Sequence, residues 1–133
     1  MKTNKKTPTR NATHNVVGRE EKIINAEGKT LGRVASETAS SLMGKTKASF
    51  ERHLFSGFKV KVINTSKIKI TSKKLDQIYH TRYSGYRGGL RILKGTETAE
   101  KKGLKELVKL AVYHMLPGNK LRREMLKNLK VED

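Results

Sequence analysis

The sequence predicts one mixed α/β domain. Runs at 22–26, 58–64 and 67–71 are short and rich in Ile and Val, as strands are, while apolar residues at 31–43 and 104–115 recur at helical spacing. A length of 133 residues suits one domain with a real core, and an apolar content of 35% keeps that core lean.

Taken in order, Met1 to Asn15 carries Lys2, Lys5, Lys6 and Arg10 with nothing to form a core. It reads as part of a basic arm over residues 1–20, ordered only against a partner; a solubilising tail and an organellar targeting segment stay open. The folded domain is expected over 21–133. Lys22–Ala26 is a strand, Glu27-Gly28 a turn, and Thr30 the cap of a helix whose inward stripe is Leu31, Val34, Ala35, Ala39, Leu42 and Met43, stopped by Gly44. Phe58–Asn64 alternates apolar with cationic residues, and Lys67–Thr71 repeats the pattern as a further strand after a turn at Thr65-Ser66. Thr96 starts a short helical turn that ends near Gly103. A helix through Leu104, Leu107, Val108, Ala111, Val112 and Met115 ends at Pro117-Gly118, and a last helix turns Leu121, Met125 and Leu129 inward. Met115 and Met125 are expected as core filler.

The net charge is +18, from 30 Lys and Arg against 12 Asp and Glu. Such a chain repels itself and is attracted to a polyanion, with nucleic acid ahead of an anionic membrane. From Lys45 to Lys94, thirteen Lys or Arg meet only Glu51 and Asp76, which accounts for +11 of the total. Ordinary surfaces intersperse both signs, so this segment reads as a nucleic-acid-facing surface. No apolar run approaches the ~20 residues of a membrane-spanning helix.

Within that segment, Tyr79–Leu90 packs three Tyr, His80, Arg82, Arg87 and three Gly into twelve residues without an acid. Rings and guanidinium planes stack on unpaired bases, Arg pairs with phosphate, and glycine permits close backbone approach. The same residues also fit a Tyr-rich strand running into a surface turn. Arg33, in the first turn of its helix, opposes the helix dipole; it serves either a bound phosphate or solvent.

Several chemistries are excluded. Without cysteine there is no disulfide or thiolate zinc site, and His14, His53, His80 and His114 lack metal-ligand spacing. Gly28-Lys29-Thr30 and Gly44-Lys45-Thr46 imitate a P-loop, but the required earlier glycine is Ile23 in one and Ala39 in the other. The acids are few and scattered, and no carboxylate near His80 and Ser84 orients an imidazole. No enzyme, cofactor, metal or small-molecule substrate is expected.

Three motifs in register carry a resemblance. Residues 25–36 (NAEGKTLGRVAS), 83–90 (YSGYRGGL), and 115–121 with 125–131 (MLPGNKL, MLKNLKV) resemble the signatures of the thirteenth large-subunit ribosomal protein family, from about Ile23 to Val131. The resemblance implies a compact three-layer α/β domain, with a small, mostly parallel sheet of about four strands flanked by helices. It implies a cytoplasmic location in the ribosome, with an organellar ribosome the lesser expectation. It also implies binding to large-subunit ribosomal RNA beside neighbouring large-subunit ribosomal proteins, and a part in early subunit assembly.

Carried onto matching positions, Lys29, Arg33, the loop Ser84, Gly85, Tyr86, Arg87, Gly88 and Gly89, and Lys120 approach RNA. The basic reading adds Lys45, Lys47, His53, Lys73, Lys74, His80, Arg82, Tyr83, Arg91, Arg122 and Arg123. The chain departs from the family at Glu21-Lys22 (usually an aromatic pair), at Tyr113-His114 (usually a basic residue and a glycine), at Gly118 (usually lysine) and at Arg122 (usually glycine). Arg122 is read as restoring the charge lost at Gly118. An architectural DNA-binding protein is the alternative that charge alone allows.

Overall fold

The computed structural model describes residues 21–133. The basic arm expected at 1–20 lies outside them.

Strand β1 (Glu21–Asn25) leads through helix α1 (Leu31–Met43) to strand β2 (Lys59–Ile63), and β1 and β2 pair in parallel. A helix is the usual crossover between parallel neighbours. Strand β5 (Leu129–Val131) pairs in parallel with the other edge of β2, giving the order β1-β2-β5. Alternation sets the two faces of the sheet. Ile24, Val60 and Val62 are buried, while Lys61 and Lys130 occupy the opposite face with the exposed Ile23. Helix α1 packs on α4 (Leu104–Met115), and Val34, Ala35, Ala39, Leu42, Val108, Val112 and Leu116 complete the core. The α/β class and the helix-flanked parallel sheet agree with the expectation.

Local chemistry explains the boundaries. Gly44 ends α1 in the left-handed conformation at φ 80°; its N–H donates to Ser41 O, and that of Lys45 donates to Ser40 O. These paired bonds satisfy carbonyls that a helix end leaves free. Thr30 occupies the cap position of α1, though its side chain makes no capping hydrogen bond.

Four expectations are corrected. Lys67–Thr71 is not a strand: Asn64 turns left-handed at φ 58°, Thr65–Lys67 forms a 3-10 turn, and the segment makes a single bridge, Thr30 to Lys69. Both edges of β2 are taken by β1 and β5, and the segment meets only the chain beyond β1, at Thr30. The last helix, α5 (Arg122–Lys127), stops before Leu129, which pairs with Val60 in β5. Met125 is buried, but Met115 is 41% exposed, because Leu116, four residues after Val112, takes the inward place. Helix α3 (Gly95–Lys102) starts with Lys94, not Thr96, at its cap position.

A second unit projects from the body. Strands β3 (Tyr79–Tyr83) and β4 (Leu90–Lys94) form an antiparallel hairpin outside the parallel sheet, following a short helix α2 (Ser72–Gln77). The Gly95 N–H donates to Ile78 O at 2.7 Å, and a Cβ on Gly95 would lie 2.7 Å from Leu75 O. Only glycine lets β4 enter α3 this close to α2.

Candidate nucleic-acid interface

The register of the hairpin pairs Tyr79 with Lys94, His80 with Leu93, Thr81 with Ile92, Arg82 with Arg91 and Tyr83 with Leu90. Opposed residues share a face, so Arg82 and Arg91 stand side by side. Like charges directly opposite one another destabilise a ladder unless an anion neutralises them. Helix α3 and helix α4 face this side across a cleft of about 340 Å³, lined by His80, Arg82, Lys101, Lys102 and His114 together with Glu97 and Glu106.

The tip of the hairpin is the loop Ser84 to Gly89. Gly85 and Gly88 adopt φ 86° and 69°, and the Gly89 N–H donates to Tyr86 O at 3.0 Å. A Cβ on Gly89 would collide with the Ser84 hydroxyl. Tyr86 is 80% exposed, and Ser84, Arg87 and Gly88 are exposed with it. The backbone conformation thus presents a ring, a guanidinium and bare peptide groups together.

His80 points elsewhere. Its ring stacks on His114 at 5.5 Å and 6°, and its Nε2 is buried without a hydrogen-bond partner. Burial, and secondarily His114, holds its pKa below the ordinary imidazole value. The His114 ring meets Tyr113 edge-on at 5.4 Å, and the Arg122 guanidinium lies 4.6 Å from the Tyr113 ring centre.

The other predicted residues fall into separate places. Lys73 and Lys74 are exposed on α2, at the root of the hairpin. Lys29, just before α1, forms an ion pair with Glu37 at 2.9 Å, and Arg33 is exposed one turn on. Lys45 lies past the far end of α1, roughly 20 Å away by helix rise. It shares a second cleft with Arg52, Pro117 and Asn119, which brings the 45–54 loop beside the turn bearing the exposed Lys120. Lys47 sits 4.6 Å over Phe58, and His53 is 3.4 Å from Glu51.

Arg122 is used within the fold. Its Nε donates to Pro117 O and its Nη2 to Leu116 O, both at 2.9 Å. Arg123 is exposed. Sequence reasoning missed Lys101, Lys102 and His114 as neighbours of the hairpin; they are distant in sequence, and only the packing of α3 and α4 brings them there.

An exposed, acid-free Arg/Tyr hairpin with a glycine tip, set on a small α/β body, defines a basic binding domain. Among the described residues, no group of acids and histidines could hold a metal. The family described as Ribosomal protein L13 matches residues 19–132. Relatives named large ribosomal subunit protein uL13 are 46% identical over 123 residues in Nitratiruptor sp. (92% of this chain, 87% of the relative) and 44% identical over 115 residues in Clostridioides difficile (86% and 80%). One from Alkaliphilus oremlandii is 44% identical over 120 residues (90% and 83%). The chain belongs to the ribosomal protein L13 family, whose members are structural and not enzymatic.

Proposed function

We propose that this protein is a structural constituent of the large ribosomal subunit, binds large-subunit ribosomal RNA, and supports early subunit assembly. The observation that carries the RNA reading is the hairpin. Between Asp76 and Glu97 there are four cations, three tyrosines and no acid, and two of the arginines stand opposite one another. Family membership supports the ribosomal setting.

The mechanism is binding. Arg and Lys displace counterions from phosphates and supply most of the affinity, which makes it salt-dependent. The glycine tip brings backbone close to the RNA, and the shape and 2′-hydroxyls of folded RNA discriminate against duplex DNA. Neighbouring large-subunit ribosomal proteins are its further partners, and the cytoplasmic ribosome is its place. Competition between structured large-subunit ribosomal RNA and duplex DNA tests this directly. Preference for the RNA, together with sedimentation with large subunits after a high-salt wash, is the expected result; equal displacement by duplex DNA would favour an architectural DNA-binding role.

A further inference from the structure

The two faces of the β3–β4 hairpin differ in chemistry. One carries His80, Arg82, Arg91 and Leu93, and most of these face the cleft toward α3 and α4. The other carries Tyr79, Thr81 and Tyr83 opposite Lys94, Ile92 and Leu90. On it Tyr79 is 68% exposed, Tyr83 65%, Ile92 60% and Leu90 57%, and none of the four lines the cleft toward α3 and α4. A two-stranded hairpin that leaves four large apolar side chains in water bears a surface built for a partner.

We infer that this outward face is a stacking platform for unpaired RNA bases, with Tyr79 and Tyr83 as the stacking rings and Leu90 and Ile92 as the apolar floor beside them. The inference rests on the RNA-binding reading and deepens it by naming the face and the ligand. Charge selects the occupant. Lys94 shares this face and Arg87 stands exposed in the loop at its end, with no carboxylate between Asp76 and Glu97, which suits a polyanion whose bases present flat π-faces. The two tyrosines lie four positions apart along one strand, about 13 Å, so each ring holds its own base. His80, the ring nearest in sequence, is turned away and stacked on His114. Lys94, directly opposite Tyr79, is placed to meet the phosphate of the base stacked there.

The test uses the full chain, an unpaired ten-nucleotide oligoribonucleotide, and large-subunit ribosomal RNA. With four tyrosines and no tryptophan, tyrosine emission reports stacking as quenching. Tyr79→Leu with Tyr83→Leu should weaken binding to the oligonucleotide by at least about tenfold and remove most of the quenching. The salt slope should stay unchanged because no cation is lost. Tyr79→Phe with Tyr83→Phe should bind within about twofold of the parent, since the ring remains. Both positions are exposed, and an unchanged urea midpoint checks that each variant folds. Parent-like oligonucleotide binding by the leucine variant overturns the inference. So does a leucine variant that binds RNA normally yet fails to enter large subunits, which would make the face a protein dock. A parent chain that binds neither RNA would instead break the broader reading on which this one rests.

Discussion

The body and the hairpin handle charge in opposite ways. In the body, Lys61 pairs with Glu132, Lys67 with Glu27, Lys29 with Glu37 and Lys105 with Asp133, all within 3.2 Å. Its apolar residues are buried around β2. In the hairpin, among the described residues, no ion pair forms, two arginines face each other, and the apolar residues are left in water. The difference separates a part that is satisfied alone from a part whose favourable contacts lie outside the chain. The body supplies the fold, and the hairpin supplies the demand for a polyanion.

The largest test of that division is ionic strength. If about six phosphates are neutralised, affinity for ribosomal RNA should fall on the order of a thousandfold between 50 and 200 mM salt. Binding measured by filter retention that is flat over this range would remove the electrostatic role. Next comes the body. Leu42 is fully buried, and Leu42→Ala should cost about 3 kcal/mol in urea unfolding, whereas the exposed hairpin change Ile92→Ala should stay within about 0.5 kcal/mol. Comparable losses would mean that the hairpin is integral to the body's stability.

A sharper version removes the opposed arginines. Arg82→Ala with Arg91→Ala should lower the salt slope by about 2 and weaken RNA binding, while leaving the unfolding free energy unchanged or slightly higher. Arg122 is the counter-case, a cation spent on the fold. Arg122→Ala should destabilise by about 1–2 kcal/mol, by loss of the Pro117 and Leu116 bonds and the Tyr113 contact, and Arg122→Lys should not fully restore it. A change confined to RNA affinity would reverse that assignment.

The smallest effect is one of pH. His80 has a folded-state pKa below its unfolded value of about 6.5. Its contribution to stability is therefore complete above that value and is lost as pH falls through the folded one. The urea midpoint should hold between pH 8 and 7 and decline below about 6.5, and His80→Gln should flatten the decline. Arg82, Glu97, Lys101, Lys102, Glu106 and His114 line the same cleft, and a decline that persists in the variant would remove His80 as its source.

Much of the body was legible because burial leaves a period in the sequence. The stripe Val34, Ala35, Ala39, Leu42 and the alternation Phe58, Val60, Val62 both came through as read. Lys67–Thr71 misled because alternation records a side chain's preference and not the path of the backbone, which Asn64 and the 3-10 turn direct to a single bridge with Thr30. Strand β5 was hidden because Leu129 continues the i+4 apolar spacing of Leu121 and Met125, and only the pairing of Leu129 and Val131 with Val60 and Val62 identifies a strand. At the site, the glycine tip was legible from composition, but the two faces of the hairpin depend on register. Tyr113, His114 and Arg122 meet in one connected set of ring and guanidinium contacts, which no single position in the sequence displays.

The position of β2 has a further consequence. This central strand takes one neighbour from residues 21–25 and the other from 129–131, so its pairing spans most of the polypeptide. The hairpin needs only residues 79–94. During synthesis the ribosome releases the local element long before the central strand can acquire its second neighbour. Contacts distant in sequence must also overcome a larger loop-closure entropy. The order in which the chain emerges therefore presents the RNA-seeking element first and seals the scaffold last.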